Sequence, residues 1–548
     1  MYKMYCVIFS AFIIVSTSRY TFNEKRNVVK ISSGLLNGKL MRTYNQRIEY
    51  LAFLKVPFAK APIGNLRFKP PQFIDNWKGI YDSTKEGDAC LQMGKNDTLI
   101  GSEDCLYMRV YTPKRRKNNE LLPVMYYVHG GGFKEGSPNF KEYGPDIFME
   151  KSVVLALVQY RLSVYGFLST EDLNCPGNNG NKDQRLGLKW IKQNAKAFGG
   201  DPERITIFGH SAGSASIGIL VNTPTTKGDY RAAIQQSASD IASFLQQVNA
   251  RKRALKIGEE FGIITNNTKE LIEKLQKIDS KELYKKALDI GNKVPTAKGS
   301  LVFTTIIESD HPDAIITRKP LQQLEKDEYN RVPIMLGFTS LEALTLMDFV
   351  DQIASKVKTD STVLIPNTLY PKDNATELKL GETIKQYYYK GNDFNYSTLR
   401  YTSDNVIVRP VLKKAHLISR YTPTYFYKFS YIGYLGDPLN PNRRGVGHAE
   451  ELNYLYRNSN EPKNIPEGDA KIREQLVTMW TNFATTLNPT PKEINLLDNI
   501  IWPQYKKETQ YKALSIDTKL TIKEKINETD YLFWEKMFSY DTKHVGYF

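Results

Sequence analysis

The pentapeptide Gly209-His210-Ser211-Ala212-Gly213 follows a short apolar run at 205–208 (ITIF) and precedes a helical pattern over 214–221. A serine at the apex of so tight a strand-to-helix turn projects its hydroxyl above the sheet, with the amino end of the helix favouring anionic character beneath it. Gly209 and Gly213 supply minimal side chains at the two crowded positions of the turn. The chemistry expected of Ser211 is nucleophilic attack and transfer of an acyl group through a covalent intermediate. G-x-S-x-G also arises by chance in long chains. The strand before it and the helix after it favour the chemical reading.

Acyl transfer needs donors for the developing oxyanion. His129-Gly130-Gly131-Gly132-Phe133 directly follows a second apolar run, 124–128 (VMYYV), and three consecutive glycines let backbone N–H groups come close to a substrate. Gly131, Gly132 and Ala212 are assigned as the three donors. The serine also needs a base, and the chain has six histidines. His129 belongs to the glycine loop, and the tight turn predicts that the ring of His210 points away. His416 sits inside a helical pattern and His544 in the tail. Elimination leaves His448, in the glycine-flanked loop 445–451 after the run 425–429, with His311 before Pro312 as the second choice. A carboxylate must orient the imidazole, and on this kind of sheet it falls between serine and histidine in the chain. The run 332–336 (VPIML) leads into 337–343, which makes Glu342 the first choice and Asp348, in the following helical pattern, the alternative. Glu450 and Glu451 lie too close in sequence to His448 to be favoured, and are expected to cap or pair locally.

Five short apolar runs rich in β-branched and aromatic residues read as buried strands: 124–128, 153–160, 205–208, 332–336 and 425–429. Helical patterns intervene, with Leu186, Trp190 and Ile191 on one stripe and Leu476, Met479, Trp480 and Phe483 on another. Strands alternating with helices predict an α/β fold, a central mostly parallel sheet flanked by helices. The 548 residues are 41% hydrophobic and 24% charged, which excludes a disordered or fibrous chain. There is no repeat or low-complexity linker, so residues 19–548 are read as one domain. Lys plus Arg exceeds Asp plus Glu, 75 to 59, a formal charge of +16. The excess is dispersed and no reading motif accompanies it, so no nucleic-acid partner is expected.

Lys3, the ten apolar-rich residues 6–15 and Ser16-Thr17-Ser18 read as a signal peptide over 1–18, cleaved before Arg19. No later stretch has the length of a membrane span. A secreted, extracellular protein without stable membrane insertion follows. The route fits five N-glycosylation sequons, at Asn96, Asn266, Asn374, Asn395 and Asn527. Removal of Cys6 with the leader leaves Cys90, Cys105 and Cys175. Cys90 and Cys105 are the nearer pair, and closing a loop of about 15 residues contributes about 3 kcal/mol in the chain-entropy model. Cys175, before Pro176-Gly177, is left as a free and inert thiol.

Taken together, these segments resemble the type-B carboxylesterase/lipase family. The likeness covers nearly the whole mature chain. It runs through Gly64-Asn65-Leu66-Arg67-Phe68, the segment 102–107 (SEDCLY), Tyr160-Arg161-Leu162, Asp183-Gln184, Phe198-Gly199-Gly200-Asp201-Pro202 and the serine turn itself. The resemblance implies an α/β-hydrolase fold, with Ser211, Glu342 and His448 as triad and Gly131, Gly132 and Ala212 as oxyanion hole. It also implies a Cys90–Cys105 disulfide and structural ion pairs Arg67–Glu103 and Arg161–Asp183. Departures are Ser163 where glycine is usual and Ala238 within Gln236-Ser237-Ala238-Ser239. Residues 91–104 contain no aromatic residue, which disfavours a cholinesterase, since these present a Trp there to a quaternary ammonium. Juvenile hormone esterases typically carry Gln where this chain has His210, so the nearest likeness is to secreted insect-type carboxylesterases.

The expected function is therefore that of a secreted serine carboxylesterase acting on a small-molecule ester, with no cofactor and no metal. Juvenile hormone esterase-like specificity is the alternative, and a non-catalytic or sequestering binding protein on the same fold is the rival. Phe133, Phe338 and the region 237–244 are candidates for an apolar pocket lining. Neither the natural ester nor the oligomeric state is legible in the sequence.

Overall fold

The computed structural model describes residues 27–115, 120–245, 247–293, 301–366, 368–391, 393–437, 439–440, 442–540 and 542–545. The leader expected over 1–18 lies outside them. The main sheet has eleven strands, labelled in chain order: β1 (Lys39–Arg42), β2 (Glu49–Pro57), β3 (Tyr107–Pro113), β4 (Leu122–Val128), β5 (Val154–Val158), β6 (Gly200–His210), β7 (Ala232–Gln236), β8 (Ile334–Thr339), β9 (Thr424–Phe429), β10 (Ala513–Ile516) and β11 (Leu520–Lys523). Their spatial order is β11-β10-β9-β8-β7-β6-β4-β5-β3-β2-β1. From β5 to β10 every pairing is parallel, and the antiparallel pairs stand at the two ends. With helices on both faces this is an α/β-hydrolase fold.

The side-chain alternation of a strand sorts the core into two layers. Val124, Tyr126 and Val128 of β4 join Ile205 and Ile207 of β6 and Leu336 of β8 on one face. Met125 and Tyr127 join Phe208, Ile234, Met335 and Tyr427 on the other. Helix α1 (Asn179–Asn194) covers the first face with Leu188, Trp190 and Ile191. Helix α3 (Glu467–Thr486) covers the second with Leu476, Met479, Trp480 and Phe483. Helix α2 (Ala212–Asn222), wholly buried, leaves the end of β6.

The register brings the carboxyl ends of the parallel strands level. Gly209 pairs with Val128 and with Gln235, Gln236 with Gly337, and Thr339 with Phe429. The loops that follow, 129–133, 211, 237–241, 340–342, 430–437 and 442–448, therefore open at one edge, where ligands meet parallel sheets.

Two ion pairs pin the flanking segments. Arg67 donates from Nε and Nη2 to the Glu103 carboxylate at 2.7 and 2.6 Å, and Arg161 does the same to Asp183 at 2.8 and 2.7 Å. Cys90 and Cys105 are joined in a disulfide. Cys175 is a buried free thiol, which burial pushes up to about 12. Asn96, Asn266, Asn374 and Asn395 are exposed. Asn527 is half-buried and its Oδ1 accepts a hydrogen bond from Lys428 Nζ at 2.9 Å. Among the described residues, no helix is long and apolar enough to cross a membrane.

Candidate active site

Ser211 sits between β6 and α2 with φ 58° and ψ −128°, a strained conformation for a residue with a side chain. The strain is held from several sides. Ser211 N–H donates to the Gln236 carbonyl at 2.9 Å, and the Ser211 carbonyl accepts from Ala215 N–H at 2.9 Å. The flanking glycines are forced by contact: a Cβ on Gly213 would lie 2.1 Å from the Val128 carbonyl oxygen, and one on Gly209 would lie 2.7 Å from Gly213.

The glycine loop after β4 folds against this turn. A Cβ on Gly130 would come within 2.9 Å of Ser211 Cβ. Gly131 has φ 103°, a region open to glycine, and its carbonyl accepts the N–H groups of Lys134 and Glu135 at 3.0 Å each. Among the described residues, no protein acceptor takes the N–H of Gly131 or Gly132. Ala212 is the first residue of α2, so its N–H is one of the amides a helix start leaves free.

Glu342 and His448 come together across 106 positions of sequence, His448 Nδ1 donating to Glu342 Oε2 at 2.6 Å. Glu342 is fully buried, and its Oε1 accepts Thr339 N–H at 2.8 Å. The His448 N–H donates to the Glu342 carbonyl at 3.1 Å, so backbone and side chain both tie the loop to the acid. The outer ring nitrogen, Nε2, is buried without a protein partner. Asp348 lies in the helix Met347–Ala354, beyond the turn that carries Glu342.

His311, His416 and His129 are committed elsewhere. His311 Nε2 donates to Glu308 at 3.0 Å and its Nδ1 accepts Asp313 N–H. His416 stacks on Tyr531 with ring centroids 4.5 Å apart, inside the helix Arg409–Ile418. His129 stacks on Tyr160, its Nδ1 donates to the Gly130 carbonyl, and burial lowers it to about 4. His210 departs from expectation: its ring packs against the His448 ring, centroids 4.4 Å apart. As the last residue of β6, two places after Phe208, it projects to the same face as that residue, and the pleat rather than the following turn sets its direction. Beside it lies Glu451, fully buried; it precedes the short helix Leu452–Leu455 but makes no side-chain cap hydrogen bond there, unlike the local capping or pairing expected of it. Glu450 does act locally, pairing with Arg443 and accepting Gly447 N–H. Among the described residues, no group of His, Cys, Asp and Glu is arranged to hold a metal ion.

An α/β-hydrolase fold with a strained serine and a carboxylate-bound imidazole at one sheet edge is an arrangement suited to acyl transfer. The chain matches the model of the carboxylesterase family over residues 25–534. It is 30% identical to a juvenile hormone esterase of Heliothis virescens, covering 88% of each chain, and 32% identical to esterase FE4 of Myzus persicae, covering 83% of each. A crystal structure of juvenile hormone esterase from Manduca sexta, with OTFP covalently attached, superposes with a TM-score of 0.82 at 27% identity, covering 94% of this chain and 99% of that one. The chain belongs to the carboxylesterase family and is a carboxylic ester hydrolase.

Proposed function

We propose that the protein is a secreted serine carboxylesterase, one α/β-hydrolase domain behind an amino-terminal leader, that cleaves small-molecule esters through an acyl-enzyme on Ser211. The observation that carries the reading is the 2.6 Å bond from His448 Nδ1 to the buried Glu342, which leaves Nε2 as the only ring nitrogen able to take a proton. His448 Nε2 accepts the Ser211 hydroxyl proton as Oγ attacks the ester carbonyl. Glu342 fixes the tautomer and stabilises the imidazolium. The N–H groups of Gly131, Gly132 and Ala212 receive the charge that develops on the carbonyl oxygen. As the carbon–oxygen bond to the alcohol breaks, His448 returns the proton to the leaving oxygen. Water then attacks the acyl-enzyme, His448 takes its proton, and collapse releases the carboxylic acid and the Ser211 hydroxyl. A fluorophosphonate probe is expected to block turnover and to label Ser211 on the peptide recovered by mass spectrometry. Intact activity after saturating treatment contradicts the reading, and covalent capture without turnover would identify a sequestering protein.

A second reading concerns the substrate. Two of the relatives, from Heliothis virescens and Tribolium castaneum, and the superposed structure are juvenile hormone esterases. This supports a juvenile hormone esterase-like specificity. Hydrolysis rates of p-nitrophenyl esters of increasing chain length, measured beside a terpenoid methyl ester, test it: preference for the terpenoid favours this reading, and preference for short acyl chains refutes it. Secretion predicts that the protein recovered from medium begins near Arg19.

A further inference from the structure

Behind the imidazole of His448 lies a second buried acid that the chemistry above leaves unused. Glu451 is wholly inaccessible, and its Oε1 accepts from Gln236 Nε2 at 3.3 Å, while Gln236 Oε1 accepts from Trp480 Nε1 at 3.3 Å. Glu451 Oε2 has no protein partner, and neither has Nε2 of His210, which lies 4.0 Å from Glu451 Oε1. His210 in turn packs on the His448 ring, so it touches both the base and the second acid.

The groups facing Glu451 offer no compensating cation. From the turn after β8 comes Glu342, from its own segment Glu450, and from β4 and β9 the phenols of Tyr127 and Tyr427. Arg443, the nearby guanidinium, is bound to Glu450. Among the described residues no Lys or Arg pairs with Glu451. A carboxylate taken out of water without a cation is costly, so the neutral acid is the stable form.

We propose that Glu451 is a positioning acid of this site: it is held protonated in the resting protein and, with neutral His210 touching both it and the base, leaves His448 facing the single anionic carboxylate of Glu342. Burial, and after it the charge of Glu342, pushes the Glu451 carboxyl up to about 8. Burial, and after it the charge of His448, lowers His210 well below the usual histidine range. The consequence is chemical. An imidazolium countered by one carboxylate can return its proton to the leaving alcohol. A second anion beside it would hold that proton back.

The inference rests on the Ser211–His448–Glu342 reading, and the two can fail separately. Labelling of Ser211 by a fluorophosphonate tests that reading, whereas the infrared band of a protonated carboxyl does not depend on turnover. The near-isosteric E451Q is expected to remove one such band from the spectrum near neutral pH. It is also expected to leave the acid limb of kcat/KM where the wild type has it, and to abolish an inflection in kcat at about pH 8. No loss of a carboxyl band, an acid limb displaced downward by about half a unit or more, or an inflection that persists in E451Q would each overturn the proposal. Glu451→Asp guards against a folding defect in E451Q: it should keep the band and an inflection at an altered pH, whereas a space-filling role gives neither.

Discussion

Glu342 divides its two oxygens between two tasks. Oε1 takes the Thr339 amide at 2.8 Å, which fixes the carboxylate to the end of β8, and Oε2 takes His448 Nδ1 at 2.6 Å. An amide cannot accept at both positions, so Glu342→Gln must either repel the Thr339 N–H or impose the wrong imidazole tautomer. It is expected to lower kcat on the order of 10⁴-fold with KM little changed, since Glu342 is placed to touch no substrate. A steady-state split in which KM absorbs the loss would contradict that. Gly131 carries a different constraint, because an added Cβ would lie 2.0 Å from the Glu135 carbonyl oxygen and the loop would have to move. Gly131→Ala should cost about 10²- to 10³-fold in kcat while Ser211 keeps its reactivity toward a fluorophosphonate only at a reduced rate. Unchanged esterase kinetics in this variant would remove the loop from the proposed oxyanion site.

At the scale of elements, the serine turn exists because β6 and α2 meet with almost no space between them. Gly213 lies so close to the Val128 carbonyl that any side chain there must separate α2 from β4. Gly213→Ala is therefore expected to lower stability as well as activity, unlike Glu342→Gln, and thermal unfolding of the two variants separates these effects. The Cys90–Cys105 link closes a segment that also carries Glu103, the partner of Arg67. Replacing both cysteines by serine should cost about 3 kcal/mol, read from denaturant midpoints. Much of this was legible in the sequence. Apolar runs placed the cores of β4, β6, β8 and β9, because buried parallel strands need little else. Their limits were less legible: α1 begins at Asn179 with the polar yet buried Asn179, Asn181 and Lys182, and β6 begins at Gly200 with the partly exposed, polar stretch 201–204, both earlier than apolar patterning indicates. The pairing of Glu342 with His448 followed from chain order and elimination. The side-chain directions behind them did not. The turn that follows His210 suggests that its ring points away, yet its direction belongs to the strand that ends at it. Counting by two from Phe208 would have placed it, while nothing local in the sequence brings Glu451 alongside.

Over the whole molecule, the folded chain buries histidines in neutral form, and this ties stability to pH. Burial lowers His129 and His416 from 6.5 to about 4 each. Between those values the unfolded chain binds protons that the folded chain refuses, so the stability these sites contribute is complete above about 6.5 and is lost as pH falls toward about 4. At pH 5 the loss is about 2 kcal/mol for each histidine. Denaturant midpoints should fall accordingly on acidification, and His416→Gln should flatten the dependence; a midpoint indifferent to pH across this window would contradict it. The sheet gathers Ser211, Glu342 and His448 at a single edge from three widely separated stretches of chain, and the account depends on their acting as one unit. Ester turnover by purified, folded Ser211→Ala tests this most directly. The expected result is a fall in kcat on the order of 10⁶-fold with the fold unchanged by circular dichroism; turnover near that of the wild type would show that the ester is cleaved without this serine.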